Sequence, residues 1–225
     1  MLSTRSAFSC IGRSNGISVL RDLFGYSEVP KEISLRAQIE ALENKHYHVN
    51  VIMVAPENYF SGARRQICYS LQVTREIFSN VNFGIGRIEW YQISEAEAGD
   101  LSVTDSKGEA RELTSDWTVQ NDGLDLFVVR LMTDTDGWSA VNGSCDKDSK
   151  GFTGSVVELY SGDDDYAANG FAHEMGHYLG LNHIEDPNNF IGGDGSSNSN
   201  TAILNSQGNT MKSHCFVKNG CDNTI

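Results

Sequence analysis

Phe171-Ala172-His173-Glu174-Met175-Gly176-His177-Tyr178-Leu179-Gly180-Leu181-Asn182-His183 is the stretch on which the reading of this chain turns. Residues four apart share one face of an α-helix, so His173 and His177 present two imidazoles one turn apart, a spacing that can share a metal ion. Glu174 projects beside them. Gly180 can leave helical geometry with a positive φ, so the chain can turn there and bring His183 round as a third nitrogen ligand. Three neutral imidazoles suit Zn2+, and three protein ligands leave a fourth position for water, the mark of a catalytic site. Zinc lowers the pKa of water to roughly 7. Glu174 is then the expected general base, accepting that proton and passing it to a leaving amine. These parts suffice to hydrolyse a peptide bond.

Around this segment the chain alternates between helix and strand patterns. The helix itself is expected from about Tyr166 to Leu181, preceded by Asp163, Asp164 and Asp165. Acids there complement the helix macrodipole; the alternative reading of the three is a Ca2+ site. Leu35, Ile39 and Leu42 mark an amphipathic helix over residues 31–45, and Ile67, Leu71 and Phe78 mark another over 62–79. His46 to Ala55, Ile85 to Ile93 and Leu124 to Met132 read as strands, the first and last of them buried. Trp138 to Ser144 and Ser155 to Tyr160 are shorter candidates. Residues 95–123 are polar and turn-rich and read as a surface excursion, and residues 192–201 as a flexible loop. The order implies an α+β fold, an α/β sandwich around a mixed sheet. A helical extension over 1–45 would precede a catalytic domain over 46–225, divided at about 180 into an upper part and a small irregular part, 181–225. His46, His48 and His214 read as ordinary surface or strand histidines.

Composition narrows the classes of function. The chain has 225 residues and a formal net charge of −13, with no basic stretch to offset it, which argues against a nucleic-acid partner. Val51 to Ala55 is the longest aliphatic run, too short to cross a membrane. The first ten residues carry one arginine and no apolar run, so no secretory signal peptide is expected from them. Five cysteines leave at least one unpaired within a monomer, and no C-x-x-C occurs. Cys145, Cys215 and Cys221 are either buried thiols or disulfide partners. The expected partner is a protein or peptide substrate met by a monomer.

The extended motif HExxHxxGxxH resembles the zinc signature of the metzincin metalloendopeptidases. Those enzymes carry a methionine in a tight turn further on, forming an apolar floor beneath the ligands, and Asn209-Thr210-Met211 is similar. Ala140-Val141-Asn142-Gly143-Ser144-Cys145, then Val156-Val157, then Ala172-His173-Glu174-Met175-Gly176-His177 look like the reprolysin (adamalysin or ADAM-type) pattern. Pappalysin-like metzincins are the nearest rival, and Ile184 stands where reprolysins usually have Asp. The resemblance implies a twisted mixed sheet with two main helices and zinc held by His173, His177 and His183. It makes Met211 the floor and Trp138, Ser139, Ala140, Val141 and Asn142 an edge strand that pairs with extended substrate. It also pairs Cys145 with Cys221 or Cys215, leaving Cys215 with Cys221 as the local alternative, and favours an extracellular protein. The other readings of the same residues are a zinc-holding module that binds peptides without cutting, and a toxin or processing protease of narrow specificity.

Overall fold

The computed structural model describes residues 45–149, 151–192 and 200–220. The first strand, β1 (Lys45–Val54), is an interior strand of the sheet and is buried along nearly its whole length. It is flanked in parallel by β2 (Phe83–Ile93) and by β3 (Gly123–Val129). Next to β3 runs β5 (Gly154–Glu158), also parallel, and the two-residue β4 (Gly137–Trp138) closes that edge antiparallel to β5. The sheet order is β2-β1-β3-β5-β4, with β6 (Lys218–Asn219) pairing antiparallel with the start of β1.

A strand buried on both faces must be apolar on both, which is why β1 and β3 read as continuous apolar runs. Alternate side chains divide between two cores. Tyr47, Val49, Val51 and Met53 of β1 join Leu124, Leu126 and Val128 of β3 on one face. Two long helices, α1 (Ala63–Ser79) and α4 (Asp164–Tyr178), cover that face. Ile52, Val54, Phe127 and Val129 face the other way. They are covered by α2 (Glu95–Ala98) and α3 (Lys107–Asp116), through Ala98, Ala110 and Leu113. The 95–123 segment is therefore no mere surface excursion but the cover of the second face. Its signal is weak because only Ala110 and Leu113 break the polar run of α3. Ser106 caps that helix by accepting from the Glu109 amide at 3.2 Å.

The expected strands and the two long helices lie close to their expected bounds. The helix over 31–45 falls outside the described residues, except that Lys45 opens β1. The strand expected over 138–144 is shorter than its pattern. It leaves the sheet after Trp138, because Asn142 N–H and Gly143 N–H donate to the carbonyls of His177 and Tyr178 at 3.0 and 2.8 Å. Asn142 takes a positive φ of 57° to make that turn. The segment thus satisfies carbonyls at the end of α4 rather than extending the edge. Met211, fully buried, is the last residue of the short helix α5 (Asn205–Met211), and the tight turns follow it. Among the described residues no helix is long and apolar enough to cross a membrane.

Candidate active site

Helix α4 is fixed at both ends. Asp163 caps its start, accepting from the amides of Asp165 at 2.9 Å and Tyr166 at 3.0 Å, which is worth about 1 kcal/mol. Asp164 accepts from Gln66 of α1 at 2.8 Å, and Asp165 from the Tyr69 hydroxyl. The three acids are thus engaged in capping and in joining the two helices. At the other end Gly180 has φ 107°, and beyond it the chain reverses.

That reversal brings His183 to the face of α4 that carries His173 and His177. The three Nε2 atoms form a nearly equilateral triangle: 2.9 Å from His173 to His183, 3.0 Å from His177 to His173 and 3.0 Å from His177 to His183. The opposite ring nitrogens are committed elsewhere. His173 Nδ1–H donates to the Phe190 carbonyl at 3.1 Å and His177 Nδ1–H to the Leu181 carbonyl at 2.8 Å. Each neutral ring has one N–H, so these bonds leave bare lone pairs at the Nε2 atoms of His173 and His177. Even if His183 supplies one proton, three acceptors facing one point cannot satisfy one another. A small cation bonded at ~2.0–2.1 Å to each nitrogen fits a triangle of this size. The protonation states fit too. Burial, reinforced by the neighbouring histidines, pushes the His173 pKa down to about 4, and burial lowers that of His177. Both are therefore neutral at pH 7, the form that binds metal.

Glu174 lies on the same helix, only 8% exposed. Burial, with a further contribution from the charge of Asp136, pushes its carboxyl up to about 8. Its carboxylate lies against the backbone of β4. A Cβ on Gly137 would stand 2.6 Å from Glu174 Oε1, so only glycine lets the edge strand approach this closely. Strand and carboxylate therefore face the same cleft, of about 360 Å³, which the three histidines also line.

Of the other sequence candidates, Trp138 pairs with Val156 in the sheet. Ser139 contacts Ser155 through their hydroxyls at 2.9 Å, and Val141 lines the cleft. Ala140 and Asn142 lie outside strand β4. Cys145 and Cys215 form a disulfide, and Cys221 lies outside the described residues. Met211 shares the core with Met175 and Tyr178. Not foreseen from the sequence were the Phe190 and Leu181 carbonyls that orient the imidazoles, and Asp136, Glu158, Tyr160, Tyr166 and Asn200 on the cleft walls. No local motif marks them, since they converge only through the fold.

His214, expected to be an ordinary surface or strand histidine, lies neither at the surface nor in a strand. It is buried, donating from Nε2–H to the Gly143 carbonyl at 2.9 Å and accepting at Nδ1 from the Phe216 amide at 3.3 Å. Burial holds its pKa below the usual histidine value. The unfolded chain, titrating near ~6.5, therefore takes up protons first as pH falls. The stability tied to neutral His214 is complete above ~pH 6.5 and is lost progressively below it. His173 and His177 act in the same sense, and Glu174, with its raised pKa, in the opposite one. In chelator-treated protein, Tm of His214→Gln, which keeps an N–H donor for Gly143, should fall less between pH 6.5 and 5 than that of the parent. Equal slopes in differential scanning fluorimetry would exclude this role for His214.

The comparisons with known proteins bear on the fold and the family. A structure of a chaperone–substrate complex is similar at 15% identity and a TM-score of 0.53, over 76% of this chain and 34% of that one. Metalloproteinase-II from Bacteroides fragilis is similar at 12% identity and 0.51, over 77% and 54%. Archaemetzincin from Methanopyrus kandleri is similar at 14% and 0.50, over 73% and 94%. At these identities the likeness is one of fold, and the chain spans about a third and about half of the first two. A search of curated proteins finds no significant match. The model of a family described as Reprolysin_5, metallo-peptidase family M12, matches residues 39–223, most of the chain and all of the site. The chain therefore belongs to metallo-peptidase family M12, with the fold of a metzincin-like peptidase.

Proposed function

We propose that this chain is a zinc-dependent endopeptidase in which His173, His177 and His183 hold the metal and Glu174 is the general base. The observation that carries this reading is the triangle of Nε2 atoms 2.9–3.0 Å apart, with Glu174 on the same helix facing the same cleft. Zinc held by three imidazoles supplies a water of lowered pKa and polarises a carbonyl. The protein's own residues do the rest. The Phe190 and Leu181 carbonyls hold the rings of His173 and His177 in the tautomer that leaves Nε2 free, a role such outer hydrogen bonds commonly serve. Glu174 accepts the proton of the attacking water and returns it to the leaving amine. Its buried, raised carboxyl suits a base that must also act as an acid near neutral pH.

The free edge of β4 binds an extended substrate through main-chain hydrogen bonds. That pairing needs no chain terminus, which supports the endopeptidase reading. Met211, at the end of α5 in the core behind α4, is assigned to the floor of the site. The segment after Gly180, carrying His183 and Phe190, forms the opposite wall.

One purified preparation tests the reading. The expected results are one zinc per chain by plasma mass spectrometry and cleavage of unfolded casein. Activity should be lost on chelation and restored by zinc, and His177→Ala should hold no metal. Undiminished cleavage by metal-free protein would overturn the mechanism. Zinc with no cleavage would leave a peptide-binding module.

A further inference from the structure

Beyond Glu174 the cleft continues along the first half of α4, and its chemistry there is one-sided. Asp136, Glu158, Tyr160 and Tyr166 line it, and no lysine or arginine does so among the described residues. Asp136 accepts from the Tyr166 hydroxyl, and Glu158 Oε2 accepts from the Met132 amide at 2.8 Å. Tyr160, 46% exposed, sets its ring 5.2 Å from that of Tyr166. Two carboxylates beside two aromatic faces are a constellation that attracts an organic cation.

A separate observation on the other wall points the same way. Asn200 is 3% exposed and lines the cavity, yet its Oδ1 finds no hydrogen-bond donor among the described residues. A buried acceptor without a donor is rare in folded proteins. A guanidinium or ammonium group brings donors and no acceptor.

Resting on the endopeptidase reading above, we propose that this part of the cleft is a subsite for an arginine or lysine side chain on the C-terminal side of the scissile bond. The direction follows from the edge strand. A peptide pairing antiparallel with β4 runs opposite to it, so its residues beyond the cut lie against the start of β4, beside Asp136. The charges already present leave the need for a cation unmet. Burial raises the Glu158 pKa most, the hydrogen bond from the Met132 amide opposes it, the charge of Asp136 raises it further, and Arg130 opposes least. Arg130 is exposed and does not line the cavity.

A randomised peptide pool cut by the zinc-loaded protein, with the residues after each cut read by mass spectrometry, tests the assignment. Arginine and lysine should exceed glutamate by about tenfold or more at one of the first three positions after the cut. The double variant Asp136→Asn, Glu158→Gln should bring that ratio to within about twofold of unity; comparing ratios within one enzyme removes any general loss of rate. An unbiased wild-type pattern, or a bias unchanged in the double variant, would overturn the subsite.

Should no cut depend on Glu174, the endopeptidase reading fails separately, and binding then decides the subsite. By fluorescence anisotropy, labelled Ala-Ala-Leu-Arg-Ala-Ala should bind Glu174→Gln protein about tenfold more tightly than its Glu-for-Arg counterpart. Equal affinities would again reject the subsite.

Discussion

Glu174→Gln is expected to lower kcat for peptide hydrolysis by about 10²–10⁴-fold, the range for loss of a positioned general base. Glutamine has the same shape, so it fits the same space against Gly137, where a Cβ would already come within 2.6 Å of the carboxylate. It cannot take up a proton at pH 7. The imidazoles and the carbonyls that orient them are untouched, so zinc content should stay at one per chain. Stability should change little, because burial already disfavours the carboxylate it replaces. Single-turnover rates beside metal analysis separate the outcomes. Parental rates would remove Glu174 from the chemistry, whereas loss of zinc would make it part of the metal site.

The largest expected effect on stability lies away from the cleft. Asp125→Ala should cost about 3–5 kcal/mol, the usual consequence of stranding one member of a buried ion pair. Asp125 is fully buried in β3. It accepts from Asn50 at 2.7 Å, Thr118 at 2.8 Å and the Val119 amide at 3.0 Å. Lys147 Nζ lies 2.8 Å from it, with 6% of that side chain exposed. Burial pulls the Lys147 pKa down against the attraction of Asp125, so an ammonium without this partner is strongly disfavoured. Urea unfolding measures the loss. The double change Asp125→Leu, Lys147→Met should recover much of it, since an apolar pair of similar volume is often as stable as a buried ion pair. A loss below about 1 kcal/mol for Asp125→Ala would show that the pair contributes no more than a surface one.

What could be read from the sequence depended on whether the signal was local. His173, Glu174 and His177 share one helix with a good cap, and Gly180 marks where it must end, so their convergence with His183 follows from spacing. The buried strands β1 and β3 announce themselves by unbroken apolar runs. Helix α3 does not, because two buried apolar side chains, Ala110 and Leu113, suffice to cover its share of the sheet. The edge strand was overextended because the backbone from Asn142 binds the end of α4, a choice made between elements distant in sequence. Asp136, Glu158 and Asn200 are scattered along the chain, and only the folded sheet and the turn after Gly180 put them on one cleft. The Asp125–Lys147 pair is likewise invisible as pattern, being an acid in a strand and a lysine in a loop.

The Cys145–Cys215 disulfide closes a covalent ring, and His173, Glu174, His177, His183 and Met211 all belong to it. A peptidase at high concentration is exposed to its own kind, and any single backbone scission within that ring leaves both pieces tethered. Neither fragment can diffuse away with part of the proposed ligand set. The bond therefore converts a nick from a dissociation into a local defect that packing of α4 against the sheet can still hold in register.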